Sequence, residues 1–179
     1  MTTIHNNLRL LGKGVMGLLS RADVTATFDP SRAGAIAHSG TYNGNAVTMA
    51  AGLEALAHYD AAAVARLHET GEALRARLNA AIAQHRLAAT VTGHGSLMQL
   101  HLSPAPVTRP EDDERADPRD VRLMHLALAN RGVFSSTRQL YVVPTVWTAE
   151  AEQHFVTAFD AALGVVAASR AARESARVL

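Results

Sequence analysis

The chain has 179 residues, 48% hydrophobic and 18% charged, with a formal net charge of +1. That length suits one domain with a sizeable core, and the composition excludes a disordered polymer. The near-neutral balance supplies no bulk field for nucleic acid or a membrane surface, and the absence of cysteine excludes a disulfide framework and thiolate metal sites.

The opening "MTTIHNNLRLLGKGVMGLLS" carries a short apolar patch, no basic region before it and no run of spanning length, so a soluble cytoplasmic chain is expected. Lys13 is the only lysine, and lysine-dependent covalent chemistry must use it or a partner chain. "LGKGVMG" lacks the leading glycine and the hydroxyl residue of a phosphate loop. In "FDPSRAG", Asp29-Pro30 predicts a turn.

"HSGTYNGNAVTMAAG", residues 38 to 52, runs a polar, glycine-bearing turn directly into small helix formers. Two readings follow. Gly40, Thr41 and Gly44, at the head of a helix beginning near Asn45, can present amide and hydroxyl donors to an anion. Alternatively, Thr41, Asn43 and Asn45 cap the helix and the glycines permit the turn.

From Ala46 the spacing of Val47, Ala50, Leu53, Leu56 and Ala57 is helical, and Asp60 introduces a second helix. The second stripe is Val64, Leu67, Leu74, Leu78 and Ile82, with Arg66, Glu69, Glu72 and Arg75 on the solvent side. "TVTGHGSLMQLHL" alternates Met98, Leu100 and Leu102 with polar neighbours and reads as a strand bent at Gly93 and Gly95. "SPAPVTRPEDDERADPRD" is an exposed loop ending where Asp117 caps a helix with Pro118 in its first turn. That helix buries Val121, Met124, His125 and Leu128 and stops at Gly132. "GVFSS" and "QLYVVPT" read as two short strands. Thr148 then caps a last helix burying Phe155, Phe159, Leu163 and Val166, and "SRAARESARVL" is a fraying end with Arg170, Arg173 and Arg177 in solvent.

The fold class expected is α+β: a long helical arm, then a small, largely antiparallel sheet covered by helices. The nine histidines form no HExxH or close helical pair, so no metal site is expected. Ser96, Ser135 and Ser136 lack a GxSxG frame, and the arginine-rich tail lacks the interleaved aromatics of a nucleic-acid surface.

The run "HSGTYNGNAVTMAAGLEAL" resembles the G-T-x-x-x-N-x-x-x-x-A-A-G segment of class III aminotransferases, most closely the glutamate-1-semialdehyde aminomutase group. "SRADVTATFDPSRAG", "VTGHGSLMQLHL" and "RGVFSSTRQLYVVPTVWTAEAEQHFVTAFDAAL" follow that family's order over about residues 20 to 165, corresponding to the C-terminal part of a member. The resemblance implies the C-terminal domain of a fold-type-I enzyme dependent on pyridoxal 5'-phosphate. It divides the chain into a large-domain remnant with a phosphate-clamp turn (1–45), an interdomain helical arm (46–86), a small α+β domain (87–169) and a tail (170–179).

In that family the Gly-Thr pair reaches the phosphate of the neighbouring subunit's cofactor, which makes Gly40 and Thr41 the implied cofactor ligands. Arg21-Ala22-Asp23 matches the end of the family's lysine segment, but the glycine-rich run after Lys13 is missing, so Lys13 is only a candidate Schiff-base residue. The implied substrate is a small amino-acid-like molecule, and the implied partners are a second copy or a missing large-domain chain. Without the remaining catalytic residues the chain alone is expected to be inactive, with an exposed apolar face on the 46–86 arm. The alternative is a non-catalytic dimerisation or docking module of the same descent.

Overall fold

The computed structural model describes residues 9–10, 17–18, 22–37, 45–103, 106–113 and 115–176. Lys13, Gly40 and Thr41 lie outside them. The chain divides into two compact units, residues 1–60 and 61–179.

In the first unit β1 (Arg9–Leu10) pairs antiparallel with β2 (Gly17–Leu18). A single turn, α1 (Ala22–Thr25), runs into a 3-10 turn at Ala26–Phe28. The expected turn follows, because the Asp29 carboxylate accepts from the Ser31 backbone N–H at 3.0 Å and its hydroxyl at 2.7 Å. Next comes α2 (Ala46–Ala57), capped by Asn45, whose Oδ1 accepts from the Thr48 N–H at 3.1 Å. Only Thr48 and Glu54 are polar among its residues, a composition that belongs in an interior. Yet Val47 is 79% and Leu53 64% exposed, with Leu56 and Tyr59 also open to solvent. Of the apolar face expected along residues 46–86, these α2 side chains and Tyr59 are the large ones that stand exposed among the described residues.

The second unit opens with α3 (Ala61–Gln84), which buries Leu67, Leu74, Leu78 and Ile82 as their spacing predicts. The single bent strand expected after it is instead a hairpin. β3 (Thr90–His94) and β4 (Leu97–His101) pair antiparallel from Thr90↔His101 to His94↔Leu97 around Gly95-Ser96, with Gly95 at φ 56°. β5 (Leu140–Val142) joins the other side of β4, in register Met98↔Tyr141, giving the order β3-β4-β5. Between them lie the one-turn α4 (Pro110–Asp113) and α5 (Pro118–Ala129), the latter capped by Asp117 on the Arg119 N–H at 2.9 Å. Last is α6 (Ala149–Ser175), capped by Thr148 on the Ala151 N–H at 3.1 Å.

"GVFSS" forms no strand. Gly132, at φ 76°, turns the chain so that the Val133 N–H is spent on the Leu128 carbonyl at 3.0 Å, closing α5. Phe134 is then left 96% exposed, with no ladder to join.

Met98, Leu100, Leu102, Met124, Leu128, Phe159, Leu163 and Val166 fill the core between the sheet and the helices. Each such side chain contributes about 1.5–3 kcal/mol relative to exposure. Tyr141 of the sheet meets Phe155 and Phe159 of α6 edge-on at 5.2 and 6.2 Å. Helix α6 is long and apolar enough by length and composition to cross a membrane, and its Phe155, Phe159, Leu163 and Val166 stripe is what the core buries.

Two groups expected in solvent are not there. Arg75 is buried, its Nη1 donating to the Gly95 carbonyl at 2.9 Å while the guanidinium pairs with Glu72. Arg170 and Arg173 do not fray: both hold Asp120 of α5, Arg170 through Nε at 2.6 Å, and Arg170 also donates to the Leu102 carbonyl at 3.2 Å. These pairings carry α6 as helix to Ser175.

Candidate functional site

The anion-binding turn proposed from the sequence ends at the first turn of α2, which contains no acidic residue. Asn45 spends its side chain on the helix, so the capping reading holds for that residue. Capping does not exclude anion binding by Gly40 and Thr41, because one cap satisfies one of several end donors. The donor set suits a phosphate. Between Asp29 and Glu54 the sequence places no carboxylate, only hydroxyl, amide and imidazole groups and the Arg32 guanidinium, ahead of and within the first turns of a helix. Within that stretch it suits the phosphate alone, since no lysine stands between Asp29 and Glu54 to engage an aldehyde.

A second polar site, which the sequence reading missed, lies in the other unit. Alternation along β4 turns Gln99 and His101 away from the core, and Thr92 faces the same way opposite Gln99. The loop after β4 folds back over them. His101 Nδ1 lies 2.7 Å from Asp113 Oδ1, and its Nε2 lies 2.9 Å from the Thr92 hydroxyl. Gln99 Nε2 donates to Asp113 Oδ2 and to the Arg138 carbonyl, both at 3.3 Å. These groups border a cavity of about 690 Å³ that Arg109, Thr137 and Arg138 also line. Both ring nitrogens of His101 are engaged, so the imidazole fastens the loop to the hairpin.

Behind the cavity Gln139, fully buried at φ 58°, accepts from the Tyr141 hydroxyl at 2.7 Å and donates to the Val121 carbonyl at 3.3 Å. Burial pushes the Tyr141 phenol well above its ordinary range, which keeps it a donor.

The loop holds its shape through Asp112. Its Oδ2 accepts from the Thr108 N–H, the Thr108 hydroxyl and the Arg109 N–H, each at 3.0 Å. These bonds, those from Thr108 foremost, hold the carboxyl below its ordinary value of 3.8. A depressed folded value means the stabilisation is present above the ordinary carboxylate range and is lost as pH falls through the folded value. In an NMR titration the Thr108 and Arg109 amide resonances should therefore move with a midpoint under 3.8. A midpoint at or above it, or unchanged titration in Asp112→Asn, would contradict this anchoring.

No family model matches the chain. The chain is 40% identical over 168 residues to the β-phenylalanine transaminase of Variovorax paradoxus, covering 90% of this chain and 38% of that protein. The crystal structure of that aminotransferase superposes with a TM-score of 0.70 at 41% identity, over 82% of this chain and 34% of the other. An ω-transaminase from Sphaerobacter thermophilus gives a TM-score of 0.68 at 31% identity, over 83% and 34%. Glutamate-1-semialdehyde 2,1-aminomutase of Sorangium cellulosum is 32% identical over 137 residues, 73% of this chain and 31% of that protein. The chain thus spans about a third of the length of these curated relatives. Shared sequence and a shared α+β fold place it in the class III pyridoxal-phosphate-dependent aminotransferase family, to whose C-terminal part it corresponds.

Proposed function

We propose that the chain supplies the small domain and the phosphate-reaching turn of a cytoplasmic aminotransferase that works as a homo-oligomer on an amino-acid-like substrate. The observation that carries this is the 40% identity over 90% of the chain to a β-phenylalanine transaminase. The aminomutases compared share 29–36%, which favours amino-group transfer over the mutase reaction.

In this reading Gly40 offers a backbone N–H, and Thr41 a backbone N–H and a hydroxyl, to the phosphate of a cofactor held by the adjoining protomer. The N-terminus of α2 adds its dipole to theirs. Asn45 caps the helix start that follows them in the chain. The exposed Val47, Leu53 and Leu56 suit a helix that is covered in the assembled enzyme. When bound, pyridoxal phosphate supplies an electron-accepting ring for charge developing at the amino-bearing carbon. The covalent step needs a lysine amine, and we assign it to the part of the enzyme beyond this chain's match rather than to Lys13, which lacks the family's glycine-rich run.

The test is a chimera in which this chain replaces the matching segment of the Variovorax β-phenylalanine transaminase. It should form cofactor-bearing enzyme, and Thr41→Val should weaken cofactor binding about tenfold or more, as the loss of one charge-assisted hydrogen bond requires. A folded, cofactor-bearing chimera indifferent to Thr41→Val removes the phosphate role. A folded chimera that never takes up cofactor favours the docking-module reading.

A further inference from the structure

We propose that the cleft between the first turns of α3 and the connection from β5 to α6 is a binding site for a small carboxylate. Trp147 lines this cleft, and its indole Nε1 is buried and has no hydrogen-bond partner among the described residues. A buried N–H left unmade is costly, so such an orphan marks a place where an acceptor arrives from elsewhere. The side chain is not free to turn away. Its ring is held edge-on by Phe155 at 6.1 Å, and its backbone N–H is already spent on the Pro144 carbonyl at 3.1 Å.

The cavity beside the indole measures about 120 Å³, and its polar lining is Arg66, Thr70, Thr145 and Trp147 over a floor that includes Leu67 and Val143. No carboxylate lines it. Among the described residues no hydrogen bond engages the side chains of Arg66, Thr70 or Thr145. Indole and guanidinium donate and cannot accept, while the two hydroxyls can do either. Two obligate donors, one of them cationic, with two adaptable hydroxyls and no local acid, are complementary to an anion.

Size and polarity narrow the choice. At about 30 Å³ per water the cavity holds roughly four molecules, or a carboxylate with a short alkyl stem. One positive charge balances one carboxylate, and the Leu67 and Val143 floor suits an alkyl stem better than a fully hydrated dianion. A free carboxylic acid and an aspartate or glutamate side chain share this chemistry.

Trp147 is the only tryptophan, so selectively excited tryptophan emission reports on this position alone. Titration with sodium acetate should change the emission saturably, and sodium chloride at matched ionic strength should not. Arg66→Gln, with its fold checked by circular dichroism, should raise the acetate midpoint about tenfold, and Thr70→Val should raise it by less. An aspartate-bearing peptide that competes where its asparagine counterpart fails names a side chain as the source. Absence of competition names a free acid, and either result keeps the site. Coincident acetate and chloride curves, or an acetate midpoint unmoved in Arg66→Gln, would show that the orphan indole faces water only and would overturn the proposal.

Discussion

Gly71→Ala is expected to destabilise the second unit by about 3 kcal/mol, the upper part of the range for overpacking a close contact. Helix propensity alone has the opposite sign, because alanine is better than glycine by about 1 kcal/mol inside a helix. Packing wins on distance. A Cβ on Gly71 would stand 1.9 Å from the Gly95 carbonyl oxygen at the hairpin turn, a backbone atom that cannot step aside alone. Moving that turn also breaks the Arg75 bond to the same oxygen, 2.9 Å long, and leaves a buried guanidinium short of an acceptor. The comparison is Gly164→Ala on α6, where the new Cβ meets only the His85 ring at 3.5 Å. That substitution should stabilise by roughly 0.5–1 kcal/mol. Urea unfolding of both variants decides the matter, and equal signs would refute the close approach of α3 to the hairpin.

Asp120→Ala should cost about 3 kcal/mol, the lower end of the range for removing one member of a buried charge cluster. The Asp120 side chain is 1% exposed, and Arg170 and Arg173, at 22% and 27%, both aim at it. Truncating the carboxylate strands two guanidinium groups that cannot lose their charge, and their partial contact with water keeps the penalty below the buried limit. The loss should appear in α6 first, as faster amide exchange from Arg170 to Ser175 than from Phe155 to Leu163, because the two arginines tie the last turns of that helix to α5. Arg173→Gln, which leaves Arg170 on the carboxylate, should cost about 1 kcal/mol. A cost under about 1 kcal/mol for Asp120→Ala would mean that the cluster is solvated in solution and does not hold α6. By contrast, the pairs joining α3 to α6, Arg77 with Glu152 and His85 with Asp160, sit nearer the surface and should contribute under about 1 kcal/mol each.

What was readable in the chain was whatever depends on near neighbours. The stripes of α3 and α6, the caps at Asn45, Asp117 and Thr148, and the helix stop at Gly132 all follow from residues three or four positions apart. So did family descent, because the Gly-Thr turn and the apolar helix after it stand together in the sequence. The readings that changed concern partners far apart in the chain. Met98, Leu100 and Leu102 were identified as one buried face, but nothing local showed that Gly95-Ser96 turns the strand back on itself.

Arg75, Arg170 and Arg173 look like solvated charges by helical position, yet each faces an acceptor 20 to 53 residues away. Asp113 looks like part of an exposed acidic run until the loop lays it on His101. The sequence by itself determined the long helices, their caps and the ancestry, since backbone propensity and apolar period act through adjacent turns. Only the tertiary structure decided which charges are buried and that the one indole has no acceptor among the described residues, because a polar group's free energy depends on what packing brings to it from remote parts of the chain.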